Sequence, residues 1–139
     1  MPDLRTAHTA DLSVATLEAA HAFLRCAFDG DFSDHDWDHT LGGVHALLSE
    51  GPDLIGHGSV VQRRLLHEGR ALRGGYVEGV AVRADRRRRG HADTLMEALE
   101  RVLRGAYHLG ALSASEAGAR LYEARGCLLY TSPSPRDRS

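Results

Sequence analysis

At 139 residues with 42% hydrophobic content, the chain is long enough to bury one core and is read as one domain. It shows neither a long apolar run for a membrane span nor a basic-then-apolar leader, so the sequence predicts a cytoplasmic protein without a membrane partner. The net charge of −2 hides a polarity: residues 1–60 carry ten acids and two bases, residues 61–139 nine acids and fifteen bases, and every base is arginine. Such a split suits a protein that meets a cation with one part and a phosphorylated group with another, unless the two halves interleave in space.

Leu4 to His8 reads as a short first strand. From Ser13, an N-cap type, Leu17, Ala20, His21, Leu24 and Phe28 mark an amphipathic helix ending near Asp29-Gly30. Ser33 with Asp36 three residues on forms a capping-box pattern in its shorter-acid form. The second helix is therefore expected from Asp34 to Gly42-Gly43. His35 and His39 stand one helical turn apart among Asp34, Asp36 and Asp38, but no third ligand of clear spacing accompanies them, and no metal is expected. Cys26 and Cys127 likewise lack metal or redox spacing.

Val44 to Ser49 and Leu54 to Leu66 read as strands joined by a Gly51-Pro52-Asp53 turn, and Glu68-Gly69 turns the chain into a third. Strands joined by tight turns are antiparallel, so this is a meander. The third strand, Tyr76 to Val82, is nearly all apolar, as a strand covered on both faces should be. Glu78 is the exception. A buried carboxylate costs several kcal/mol, on the order of the effective penalty for a buried ion, unless it is partnered or faces a wet cleft. It is thus either a functional group or a structural one paired with an arginine such as Arg73.

A basic, glycine-containing turn follows this strand, and Ala92, Leu95, Met96, Leu99, Val102 and Leu103 then place an apolar stripe on a helix. Small residues at the turn let a phosphate approach the backbone, and the first helical turn offers unpaired N–H groups and a positive dipole end. Arg86 to Arg89 are also open to reading as a solvated charge run or a nucleic-acid patch. Leu109 to Ser115 is a further strand, reached by a crossover and so parallel to the Glu78 strand. Glu116 to Arg125 reads as a last helix. Residues 127–139, rich in Ser, Pro and Arg without periodicity, read as a non-native or disordered tail.

The six residues Arg87 to Ala92 fit the R/Q-x-x-G-x-G/A pyrophosphate signature of the GNAT superfamily of acetyl-CoA-dependent N-acetyltransferases. The preceding Val80-x-Val82 strand end, the helix directly after, and Leu121-Tyr122-Glu123-Ala124-Arg125-Gly126 strengthen that resemblance. Gly30 to Leu48, Val60 to Leu66, Gly75 to Asp85 and Arg104 to Ser115 narrow it to the aminoglycoside 2'-N-acetyltransferases. The resemblance runs through Gly126. It implies an α/β GNAT fold, with a mixed, mostly antiparallel sheet flanked by helices and its C-terminal strands missing. It also implies acetyl-CoA as cosubstrate and direct attack of a substrate amine on the thioester.

Residue by residue, the resemblance implies that the backbone of Val80, Ala81 and Val82 pairs with the pantetheine arm. Arg87, Arg88, Arg89, Gly90, His91 and Ala92 would bind the pyrophosphate. Glu78 would serve as base and amine ligand, and Tyr122 would protonate the leaving thiolate. Asp36 and Ser113 would contact the aminoglycoside. Bland readings stand beside each role: Asp36 suits its own helix terminus, Ser113 is an ordinary strand-end residue, and Tyr122 suits a core edge. Gly79 suits either a bulge or a packing accommodation. Alternative activities are transfer to a polyamine or peptide N-terminus, and a non-catalytic CoA-binding fragment whose exposed sheet edge favours a homodimer.

Overall fold

In the computed structural model, residues 2–112 are described, and they build one five-stranded sheet with helices on both faces. In chain order the elements are β1 (Asp3–His8), a 3₁₀ turn, α1 (Val14–Ala27), α2 (Asp34–His39), β2 (Val44–Glu50), β3 (Asp53–His67) and β4 (Arg70–Val82). A second 3₁₀ turn, α3 (His91–Ala106) and β5 (Leu109–Leu112) follow. The strands lie in sequence order; β1 to β4 pair antiparallel, and β5 lies parallel to β4 after the crossover through α3. The expectations for Ser113, Tyr122, the helix 116–125 and the tail 127–139 lie outside the described residues.

Local chemistry accounts for the turns and caps. Glu68 and Gly69 both take positive φ (49° and 78°), the backbone of a tight hairpin, and they join the two longest strands. Ser33 accepts from the Asp36 N–H at 3.1 Å while Asp36 accepts from the Ser33 N–H at 2.9 Å, completing the capping box. The second helix stops at His39, however, and not at Gly42-Gly43. The Thr40 hydroxyl donates to the Trp37 carbonyl at 2.6 Å, and the chain then leaves helical geometry at Gly42 (φ 93°). Gly43 must be glycine for another reason: a Cβ there would lie 1.9 Å from the Val60 carbonyl oxygen.

Alternation along β2 divides the core in two. Ala46 and Leu48 face α3, where Leu95, Met96, Ala98 and Leu99 join Ile55, Val60, Val77 and Val82 in the main cluster. Leu47, between them, faces α1 and packs with Leu12 and Ala20. Each fully buried Leu contributes about 1.5–3 kcal/mol of transfer free energy, so the α3 stripe is what holds the helix down.

One break in alternation matters for everything that follows. Val77 and Val80 both pack on the α3 side although three residues apart, because the β3–β4 register shifts between His57 and Ser59 and Gly79 takes φ 57°. Gly79 is therefore a bulge. Glu78 is left on the opposite, α1 and α2 side of the sheet.

Candidate active site

The bulge follows directly on the last described rung between β4 and β5. Among the described residues the β4–β5 ladder runs from Gly74↔Leu109 to Val77↔Leu112, and β4 pairs with β3 on its other side up to Val82. A bulge at that point turns the strand.

Glu78 sits beside this bulge with its side chain 23% exposed. Burial pushes its carboxyl above the ordinary carboxylate range; the charge of Arg63 and, less strongly, His39 pull it back, and the charge of Asp36 adds to the upward shift. Sequence reasoning offered Arg73 as its structural partner, and the structure corrects this. Arg73 Nε instead donates to the Ala106 carbonyl at 2.6 Å, tying down the end of α3. The cation beside Glu78 is Arg63 of β3, whose Nη2 lies 4.0 Å from Oε1 and also donates to the His39 carbonyl at 3.4 Å.

Arg63 carried no sequence signal. Its register partner is Gly74, whereas Glu78 faces Ser59, so the contact depends on a long side chain reaching along the strand. Asp36 lies within the same electrostatic neighbourhood. Its carboxyl is held below the ordinary range, first by the Ser33 backbone N–H and also by the Ser33 hydroxyl, which fits its capping role and leaves it ionised near neutral pH.

The glycine turn forms the second half of the site. Arg88 and Gly90 both take left-handed φ (64° and 81°), and Gly90 caps α3 with no side-chain hydrogen bond to its first-turn N–H groups. A shallow concavity of about 200 Å³ lies there, lined among others by Val82, Arg87, Arg88, Gly90 and Ala92. The arginines divide their work. Arg87 Nε donates to the Val82 carbonyl at 3.0 Å, and Arg86 pairs with Glu50 at 2.9 Å and with Asp85 at 3.1 Å. Arg88 and Arg89 are exposed and make no ion pair among the described residues. One acid, Asp93, sits in the first turn of the helix.

A group that sequence reasoning missed lies directly behind the bulge. His45 and His57 are fully buried and bonded to each other, Nδ1 to Nε2, at 3.0 Å; His57 Nδ1 reaches the Gly79 carbonyl at 2.7 Å, and His45 Nε2 meets the Thr9 hydroxyl at 2.7 Å. Burial, before any other cause, pushes both rings down to about 4. They are neutral at physiological pH. Both follow strand alternation onto the α1 face, but nothing in the sequence distinguishes them from the other seven histidines.

A bulged strand followed by a glycine turn and the N-terminus of a long helix is an arrangement that suits a phosphorylated ligand. Residues 10–129 match the acetyltransferase (GNAT) domain, and the chain belongs to that family. It is 53% identical over 130 residues to an aminoglycoside 2'-N-acetyltransferase of Mycolicibacterium fortuitum, covering 94% of this chain and 67% of that protein. In fold it is similar to an acetyltransferase of Trypanosoma brucei (TM-score 0.72, 19% identity, 96% of this chain and 97% of that one). It is also similar to a predicted acetyltransferase of Clostridium acetobutylicum solved with acetyl-CoA (TM-score 0.73, 16% identity, 96% and 94%). Among the described residues no helix is long and apolar enough to cross a membrane, and no cluster of three or more metal-ligating side chains occurs.

Proposed function

We propose that this chain is a cytoplasmic acetyl-CoA-dependent N-acetyltransferase that acetylates the 2'-amine of an aminoglycoside by direct attack in a ternary complex. The observation that carries the reading is Glu78: a half-buried carboxyl with a raised pKa on β4, one residue before the bulge. A base for an ammonium needs such placement. The likeness to the Mycolicibacterium enzyme supplies the substrate class.

In this reading the pantetheine arm lies along the backbone of Val80, Ala81 and Val82 as an added strand, and the Val80 N–H polarises the thioester carbonyl. The pyrophosphate rests on the N–H groups of Gly90, His91 and Ala92, with Arg88 and Arg89 supplying charge and Arg87 bracing the turn through Val82. Glu78 takes a proton from the ammonium through water, and Asp36 and Ser113 hold the polycationic substrate. Tyr122 protonates the departing thiolate. The acids of the first half suit a polycation.

The test is thiol release from acetyl-CoA by the purified chain with tobramycin, which carries a 2'-amine, beside kanamycin A, which carries a 2'-hydroxyl. Release with tobramycin alone is expected. Release with neither, persisting in a form extended at its C-terminus, refutes the aminoglycoside reading.

A further inference from the structure

The buried histidines form a chain in which every proton position is fixed by its end. The Gly79 carbonyl only accepts, so the 2.7 Å contact requires a proton on His57 Nδ1. A neutral His57 then accepts at Nε2, which requires a proton on His45 Nδ1 across the 3.0 Å contact. His45 Nε2 must in turn accept from the Thr9 hydroxyl at 2.7 Å, and the Thr9 oxygen accepts from the Gly42 N–H at 2.9 Å. The series runs in one direction from the α2–β2 loop to the bulge. It ends on a backbone carbonyl, which takes no proton at neutral pH, so it cannot serve as a route for the proton removed from the substrate.

What it can do is hold a peptide plane. No peptide bond among the described residues is cis, and in a trans peptide the carbonyl and the following N–H point in opposite directions. Fixing the Gly79 oxygen on His57 therefore aims the Val80 N–H away from His57. A left-handed glycine is otherwise the part of the strand with most freedom to rotate. Packing closes the same plane from other sides: a Cβ on Gly79 would meet Thr40 Cγ2 at 2.9 Å and Leu24 Cδ1 at 3.3 Å.

We infer that His57, with its tautomer set by His45 and Thr9, is a positioning residue that locks the Gly79–Val80 peptide so that the Val80 N–H is presented to the acetyl thioester. This rests on the acetyl-transfer reading for its catalytic consequence, though the lock itself is a property of the folded chain. The neutrality of both rings supports it, because a second proton on His57 would put two ring N–H groups face to face, and one on His45 would turn the Thr9 hydroxyl from donor to acceptor.

The test uses the whole chain in three forms. Nitrogen-15 spectra of the wild type are expected to show both rings as the neutral Nδ1–H tautomer, and acetyl-CoA is expected to move the Val80 amide proton downfield. His57→Leu removes the lock, and His57→Asn keeps a donor where Nδ1 stood. The leucine variant should lose the Val80 shift and lower kcat on the order of 10-fold, less than the loss of a whole carbonyl-polarising donor. The asparagine variant should recover most of both. An Nε2–H tautomer at His57 would overturn the lock. So would a folded leucine variant with wild-type kcat and Val80 shift, or, should leucine not fold, an asparagine variant that folds but shows no Val80 shift. A wild type with the expected tautomers and Val80 shift but no thiol release would support the lock and refute the transfer reading, which keeps the two failures apart.

Discussion

Arg63 Nη2 lies 4.0 Å from Glu78 Oε1 and 3.4 Å from the His39 carbonyl, so a cation beside the candidate base is anchored by the end of α2. Its charge opposes the upward push that burial gives the Glu78 carboxyl. Arg63→Gln should let that carboxyl rise further. The acid limb of the kcat/KM profile should then move to higher pH, with the rate falling in acid and little changed on the alkaline plateau. A pH–rate series on the two proteins checks this; an unmoved limb would mean that Glu78 does not feel Arg63 or is not the base.

Glu78→Gln separates chemistry from cofactor binding. Glu78 lies on the α1 and α2 side of the bulge, whereas the helix terminus at the glycine turn belongs to α3. Turnover should fall about 10²- to 10⁴-fold, the usual range for losing a general base, while CoA affinity by calorimetry stays within about 2-fold. Equal loss of both would make the carboxylate structural. Stability gives an independent sign. A carboxyl whose folded pKa is raised binds more protons folded than unfolded, so ionisation destabilises the fold as pH rises from about 4.5 through the folded value. The glutamine variant should escape that loss.

Where a signal was local, the sequence carried it. The Ser33 and Asp36 cap, the Glu68-Gly69 hairpin, the α3 stripe and the glycine turn each depend on residues within a few positions of one another, and each stands where spacing put it. Arg63, His45, His57 and Thr9 were not legible because their roles depend on register and on a bulge. Shifting the pairing at His57/Ser59 decides which β4 carbonyl faces which β3 ring, and no window along the chain contains both. The end of α2 failed for a smaller reason. Two glycines marked a stop, but the Thr40 hydroxyl bonded its own helix first.

The histidine pair predicts an acid-sensitive fold. In the unfolded chain each ring takes a proton near pH 6.5; in the folded chain burial delays this to about 4. Between those values the unfolded state binds more protons, so stability rises with pH through that window and is flat above it with respect to these groups. The difference is on the order of 3 kcal/mol per ring, and the rings are too closely coupled for the two to add simply. Glu78 acts in the opposite sense over part of the window, but it is a single, partly exposed group. Urea midpoints should therefore be level from about pH 7 to 8 and fall steadily below 6.5. The double change His45→Leu and His57→Leu should flatten that fall if the protein folds, whereas His57→Asn alone should reduce it.

Two glycines with similar backbone and different surroundings separate strain from packing. Gly90 takes φ 81° with nothing within 4 Å of where a Cβ would stand, whereas Gly79 takes φ 57° beneath Thr40 and Leu24. An alanine at either site carries the left-handed penalty of about 1–2 kcal/mol. At position 79 it must also displace two packed side chains, and the displaced strand would carry Val80 with it. Gly90→Ala should therefore melt only a few degrees lower and fold normally, while Gly79→Ala should melt well below it. Their effects on the cofactor should differ as well. If the first turn of α3 holds the pyrophosphate, a shifted Gly90 turns those N–H groups aside, and the Kd for CoA should rise several-fold while turnover at saturation is nearly kept. Gly79→Ala should instead lower turnover at saturating acetyl-CoA, because in the proposed reading the affected peptide would face the thioester and not the phosphates. Calorimetric melts, CoA titrations and saturation kinetics on the two variants distinguish these outcomes. Identical losses in both would mean that the bulge and the turn act as one structural unit.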